Sequence, residues 1–214
     1  MMDACLIIGN NINLSNFDYS NKLVIGVDKG AYLAYKAGIK LDYAVGDFDS
    51  ISDSQYEELS CYTNVIKLNP VKDETDTLYA INMCKECETI YVLGGIGGNR
   101  IDHFIANVKL FFRYSNLVFV DDYTYIKQCD MKEDFQKDEY HYYSFFALED
   151  VSGLCLNGFK YSLSDYNLSH ESSLGVSNEI LNDIASLTYS SGKLLLIKTK
   201  KEEEVRKWKI KRNC

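Results

Sequence analysis

Acidic residues fall in three short clusters along the first half of the chain. Asp28 follows the apolar run Leu23–Val27, Asp47 and Asp49 follow Tyr43-Ala44-Val45, and Lys72-Asp73-Glu74-Thr75-Asp76 precedes a helical stretch. Carboxylates two residues apart point to the same side of an extended chain. Such a pair repels itself when alone and is favourable around a hard cation. Magnesium takes oxygen ligands and keeps waters and substrate phosphates beside them. Structural duties suit the same residues. Asp47-Phe48-Asp49-Ser50 reads equally as a solvated turn opening a helix. Asp73 or Thr75 reads as an N-cap, with Asp76 in a first turn where the helix dipole favours an anion. Lys72 offers a cation to phosphate.

Gly94-Gly95-Ile96-Gly97-Gly98-Asn99-Arg100 lies between a strand-like and a helical segment. Glycines let backbone approach a ligand closely and turn N–H groups toward phosphate. Arg100 adds a guanidinium fork. The pattern lacks the Gly-Lys-Ser/Thr ending of a Walker loop and the spacing of the dinucleotide fingerprint, and an ordinary glycine turn explains it equally well. Asp102, His103 and Asn107 make the start of the following helix polar. With three His against 31 acids, a His-rich metal site is excluded, and no Gly-x-Ser-x-Gly elbow is present. The set suits phosphoryl chemistry with magnesium: acids for the metal, glycines and Arg100 for phosphates.

Those clusters need strand ends to hold them. Apolar runs at Ala4–Ile8, Leu23–Val27, Tyr43–Val45, Asn64–Leu68, Thr89–Leu93 and Leu117–Val120 read as strands. Helices are expected over Ala31–Ala37, stopped by Gly38, over Thr75–Cys87, and over Asp102–Arg113 with Phe104, Val108 and Phe111 on one stripe. Alternation of this kind gives a parallel sheet covered on both faces, whose ligands bind beyond the carboxyl ends of the strands. After Asp122 the helices stop. Tyr140–Leu148, Leu154–Phe159, Leu187–Ser190 and Lys193–Lys198 read as strands. Ser191-Gly192 is expected to be a tight hairpin between the last two, and Ser152-Gly153 and Asn157-Gly158 further turns. The expected fold is an α/β parallel-sheet domain over residues 1–122, followed by an antiparallel β-sandwich over 123–214.

Composition limits the partners. The chain has 214 residues and 46% hydrophobic content, with 23 basic against 31 acidic residues for a net charge of −8. That balance disfavours nucleic acid and anionic membranes. The stretch Lys198–Arg212 reads as a solvated, partly helical end. Seven scattered Cys, an odd number, do not suggest a disulfide framework, and Cys84-x-x-Cys87 has no second pair for zinc. Without a signal-like start or a spanning apolar run, the reading is a cytoplasmic protein with reduced thiols.

Five segments in order resemble the thiamine pyrophosphokinase family: Val27-Asp28-Lys29-Gly30-Ala31, Val45–Ile51, Lys72–Asp76, Gly97–His103 with Asn107, and Gly175-Val176-Ser177-Asn178-Glu179. Lys29 stands where the family usually has glycine, and Asn99 is inserted between Gly98 and Arg100. The resemblance implies pyrophosphate transfer from ATP to the thiamine hydroxyl, releasing AMP, by a homodimer whose thiamine site lies between subunits. The α/β domain would carry ATP and magnesium, and the β-domain thiamine and the dimer contact. The resemblance makes Asp47, Asp49 and Asp76 the catalytic magnesium ligands, with Asp28 nearby. It gives Arg100 to the phosphates, Asn107 to positioning the nucleotide, and Ser177 and Asn178 to the acceptor pocket; Lys72 is a further cation for phosphate, and Asp102 is assigned to cationic thiamine because a carboxylate offsets that charge. No aromatic is assigned to stack on thiamine; Trp208 sits in the tail. Two other readings stay open: a pyrophosphokinase for another small alcohol such as a hydroxymethylpterin, and a non-catalytic nucleotide sensor.

Overall fold

The computed structural model describes residues 2–9, 12–71, 74–97 and 100–201. Two compact units divide the chain, Met1–Asp122 and Tyr123–Cys214.

In the first unit β1 (Asp3–Ile7), β2 (Lys22–Val27), β3 (Tyr43–Gly46), β4 (Asn64–Lys67), β5 (Ile90–Leu93) and β6 (Leu117–Val120) form one sheet. Their order is β4-β3-β2-β1-β5-β6, and every pairing is parallel. Strand order therefore reverses between β1 and β5. That is a topological switch point, the usual binding crevice of such a sheet. Past Asp3, β1 is apolar and wholly buried, as a central parallel strand must be.

Helix α1 (Lys29–Lys36) begins two residues before the sequence expectation. Gly30 permits this, because a Cβ there would overlap the Ile7 carbonyl oxygen. Lys29, the departure from the family pattern, points into solvent and needs no such space.

A second helix, α2 (Asp53–Tyr62), follows the Asp47–Ser50 turn; the sequence reading allowed a helix to open there but gave it no extent. Only Leu59 in it is fully buried, so no apolar stripe announces it. Its start is fixed by a capping box: Ser52 Oγ accepts from the Gln55 N–H at 3.3 Å, and Gln55 Oε1 accepts from the Ser52 N–H at 2.9 Å.

Helix α3 (Asp76–Met83) stops short of Cys87, at a cap on Cys84. Helix α4 spans Ile101–Leu110, with Phe111 buried just past its end. The core of this unit gathers Cys5, Ile7, Val24, Ala31, Ala44, Phe48 and Leu59 among others.

The second unit is antiparallel. It contains β7 (Thr124–Gln128), β8 (Lys132–Gln136), β9 (Tyr142–Asn157), β10 (Leu163–Leu168), β11 (Ile184–Thr188) and β12 (Ser191–Thr199). β7, β8 and β10 were not anticipated by the sequence reading. Two expectations fail outright. Ser152-Gly153 is no turn: β9 runs through it as one strand of 16 residues, with Gly153 at φ 67°. Ser191-Gly192 is no hairpin: β11 and β12 do not pair with each other. β12 pairs with β9 from Thr199↔Tyr142 to Ser191↔Ser152, and β11 continues along β9 from Thr188↔Cys155 to Ser186↔Asn157. The register shifts flanking Lys193 absorb the Ser-Gly pair as an irregularity in a continuing ladder. Lys198 and Thr199 belong to β12 rather than to a helical tail, and 202–214, with Trp208, lie outside the described residues.

One aromatic-rich core closes this unit, built around Phe135, Tyr143, Phe145 and Phe159. The Phe145 and Phe159 rings meet edge to face at 5.5 Å. Among the described residues no helix is long and apolar enough to cross a membrane.

Candidate active site

The sheet ladder continues one step past β2 and β4. The Asp28 N–H donates to the Val45 carbonyl at 2.9 Å, and Leu68 N–H donates to Gly46 O at 2.8 Å. This sets Asp28 beside Gly46 at the carboxyl end of the sheet. Gly46 has φ 154°, and a Cβ on it would overlap Asp28 Oδ1. The Asp28 carboxylate thus fills the space that a side chain at position 46 would take. It faces the Phe48 N–H at 3.4 Å.

Asp28 and Phe48 both hold positive φ, 48° and 60°. Such conformations cost ~1–3 kcal/mol each in a non-glycine residue and cluster at functional sites. Phe48 is the anchor. Its ring is buried and packs edge to face on Tyr56 of α2 at 5.4 Å. The expectation that Asp47 and Asp49 share one side of an extended chain is corrected here, because Phe48 is not extended. Instead the Asp49 N–H donates to Asp47 Oδ1 at 3.1 Å across the turn. Asp47 is half-buried and Asp49 exposed.

Asp76 opens α3, which packs on β2 and β3. Thr75 is the cap, accepting from the Leu78 N–H at 3.2 Å. Lys72 and Asp73 lie outside the described residues. Asp28, Asp47 and Asp49 thus meet at one loop pair, with Asp76 on a neighbouring helix. Among the described residues no three His, Cys, Asp or Glu side chains close into a ready-made metal cage.

Across the switch point, the chain after β1 touches the glycine loop after β5: a Cβ on Gly9 would lie 2.9 Å from Gly95 N. Asn107, buried on α4, donates from Nδ2 to the Gly95 carbonyl at 3.2 Å. It therefore acts on the loop's shape. Gly98 and Asn99 lie outside the described residues. Arg100 caps α4 and pairs with Asp102, Nη2 to Oδ2 at 2.8 Å and Nε to Oδ1 at 3.1 Å. Its Nη2 also lies 2.6 Å from His103 Nε2. The hydrogen bond from Arg100 holds the Asp102 carboxyl at about 2. Two residues expected to serve different substrates are therefore partners of each other. An open cleft of 390 Å³ begins at Gly9 and continues past Asn13 and Ser15 to Leu33 and Ala37; none of the sequence-derived candidates lines it.

In the second unit Ser177 is exposed at φ 56°, its N–H donating to Ser144 Oγ at 2.9 Å. Asn178, expected to line a pocket, is 1% exposed. Its Oδ1 accepts from the Tyr161 and Glu179 N–H groups at 2.9 and 3.0 Å, and its Nδ2 donates to Tyr161 O at 2.9 Å. Asn178 is thus a clamp on the Tyr161 backbone. Tyr161 itself is 58% exposed. The sequence reading did not single it out.

Comparison with known proteins adds to this geometry. Residues 15–119 match the family model "Thiamin pyrophosphokinase, catalytic domain", and residues 130–194 match "Thiamin pyrophosphokinase, vitamin B1 binding domain". A thiamine pyrophosphokinase of Bacillus subtilis (strain 168) is 31% identical over 196 residues, covering 87% of this chain and 92% of the relative. The crystal structure of a Bacillus subtilis thiamine pyrophosphokinase superposes with a TM-score of 0.84 at 30% identity, over 93% of this chain and 99% of that one. A Geobacillus thermodenitrificans thiamin pyrophosphokinase gives 0.84 at 28% identity, over 94% and 98%. The yeast thiamin pyrophosphokinase, at 15% identity and a TM-score of 0.77 over 92% and 86%, shares the fold.

Proposed function

The chain belongs to the thiamin pyrophosphokinase family, and from that premise we propose how its residues divide the work. The reaction is transfer of pyrophosphate from ATP to the hydroxyl of thiamine. The thiamine oxygen bonds to the β-phosphorus of ATP, the bond from that phosphorus to the α,β-bridging oxygen breaks, AMP leaves, and the hydroxyl gives up its proton. Neither a pterin enzyme nor a silent sensor finds support among the relatives.

One arrangement carries the residue assignment: a carboxylate group and a glycine loop at the carboxyl ends of strands on either side of the switch point. Asp47, Asp49 and Asp76 hold magnesium. The donor set fits, since hard oxygens suit that ion, and an incomplete protein cage suits it too, because magnesium retains waters and phosphate oxygens. When bound, the ion offsets phosphate charge. Asp28 supports the site by holding the Phe48 turn beside Gly46.

Arg100 exchanges Asp102 for ATP phosphate, and Lys72 joins it. Asp102, released from Arg100, is then available to the positive charge of thiamine. Asn107 supports nucleotide binding by shaping the loop at Gly95. Ser177 and the Tyr161 ring meet the acceptor, with Asn178 setting Tyr161 in place. An aromatic face is a natural partner for a thiazolium cation.

The working unit we propose is a homodimer in which these two halves of a site come from different subunits. Cys5, Cys61, Cys84, Cys87, Cys129 and Cys155 are all free thiols, which suits a reducing cytoplasm.

The deciding experiment is incubation with ATP, magnesium and thiamine, followed by mass spectrometry. Thiamine diphosphate and AMP are expected in equal amounts. Stoichiometric ADP would overturn the reading.

A further inference from the structure

Glu179 closes the Gly175–Glu179 segment and has no role in the account above. Its carboxylate is held by two basic side chains. Lys160 Nζ lies 2.7 Å from Oε1, and His141 Nε2 lies 3.3 Å from Oε2. The Lys160 hydrogen bond keeps the Glu179 carboxyl below the usual range, and Lys201 adds a weaker positive influence. The backbones are tied as well: Lys160 N–H donates to Glu179 O at 2.8 Å, and the Glu179 N–H shares Asn178 Oδ1 with the Tyr161 N–H. Lys160, Tyr161 and Glu179 are therefore fixed relative to one another by main-chain bonds as well as by charge.

Lys160 Nζ stands 5.6 Å from the centroid of the Tyr161 ring. An ammonium at that distance draws on the same electron-rich ring that a second cation would use. An uncompensated Lys160 would therefore repel a thiazolium approaching Tyr161. The position of Glu179 removes that repulsion at its source.

We propose that Glu179 is a specificity-determining residue for the positive charge of the acceptor: by neutralising Lys160 it keeps the exposed face of Tyr161 open to a cationic ring. The proposal rests on the reading that Tyr161 meets thiamine, and its test separates the two.

The measurements are KM and kcat for thiamine in Glu179→Gln, Lys160→Met, the double variant and Tyr161→Ala. Glu179→Gln keeps the size of the side chain while removing its charge and exchanging one acceptor oxygen for an NH2 donor, and is expected to raise KM for thiamine about tenfold, the size of one water-screened charge contact. The effect falls far more on KM than on kcat, and it shrinks as salt rises. Lys160→Met is expected to lower KM or leave it unchanged, and to rescue Glu179→Gln in the double variant. Opposite signs for the two partners separate a charge effect from loss of a structural tie, which would make both variants worse. Inhibition by the uncharged alcohol 4-methyl-5-(2-hydroxyethyl)thiazole should be the same in Glu179→Gln as in the parent. If Tyr161→Ala raises KM but Glu179→Gln does not, the inference on Glu179 falls and the acceptor reading stands. Equal increases for Glu179→Gln and Lys160→Met overturn it as well. If Tyr161→Ala leaves KM unchanged, the acceptor reading falls and the inference falls with it.

Discussion

Asp47 and Asp49 sit on either side of a phenylalanine whose ring the core holds, so neither carboxylate can leave the strand end without unseating Phe48. Substitution with asparagine keeps the shape and removes one charge from the proposed hard-cation site. Asp47→Asn and Asp49→Asn should each lower turnover at least about a hundredfold, more than the loss usual for groups that only orient metal ligands. Thermal melting should stay close to the parent, since Asp49 is exposed and Asp47 only half-buried. Near-normal turnover of either variant at limiting magnesium would remove that residue from the ligand set. At this scale the sequence suggests a role only where a residue type carries chemistry of its own, as carboxylates and guanidinium groups do. It is silent where a residue acts through another. The bonds that tie Asn178 to the Tyr161 backbone and the Asn107 amide to Gly95 O have no signal in either residue type. The left-handed backbone of Phe48 has no sequence signal, because nothing in a bulky aromatic residue favours it.

The elements that carry these residues leave little room for change. Gly46 ends β3 under the Asp28 carboxylate, at a φ that other residues rarely adopt. Gly46→Ala must therefore expel Asp28 from its place, break its contact with Phe48 N–H and strain the backbone. A loss of about 1–3 kcal/mol of stability is expected, together with a fall in kcat. Urea unfolding and steady-state rates check both, and an alanine variant with parental stability and kcat would mean that the packing of Asp28 over Gly46 is not needed. Parallel strands were legible because each is a short apolar run with a breaker after it. Helix α2 was legible only as a turn that could open a helix, because a single buried leucine in ten residues makes no stripe; the Ser52/Gln55 pair fixes its start. The antiparallel strands were misjudged for a related reason. A Ser-Gly pair marks either a turn or a bulge, and the choice depends on whether a partner strand continues alongside. Here β9 does, so β11 and β12 follow one edge of it in succession.

At the scale of the whole molecule, the question is whether one chain completes a site. If the phosphate half of a site comes from one subunit and the acceptor half from the other, each half can be damaged separately. Asp49→Ala disables the first. Tyr161→Ala is the better choice for the second, since Tyr161 is exposed, whereas Asn178→Ala would leave buried N–H and C=O groups without partners at a cost of about 1–3 kcal/mol. Each homodimer of either variant then has two defective sites. A mixed dimer has one doubly damaged site and one intact site, because a two-fold interface uses each patch once per site. Random exchange makes half the dimers mixed, so about 25% of all sites should be intact. Co-expression, or joint unfolding and refolding, supplies the exchange. Turnover measured below the parental KM for thiamine should then rise well above the average of the two variants, toward a quarter of the parent. Activity that stays at that average, with heterodimers demonstrated by mass, would mean that each site is built within a single chain.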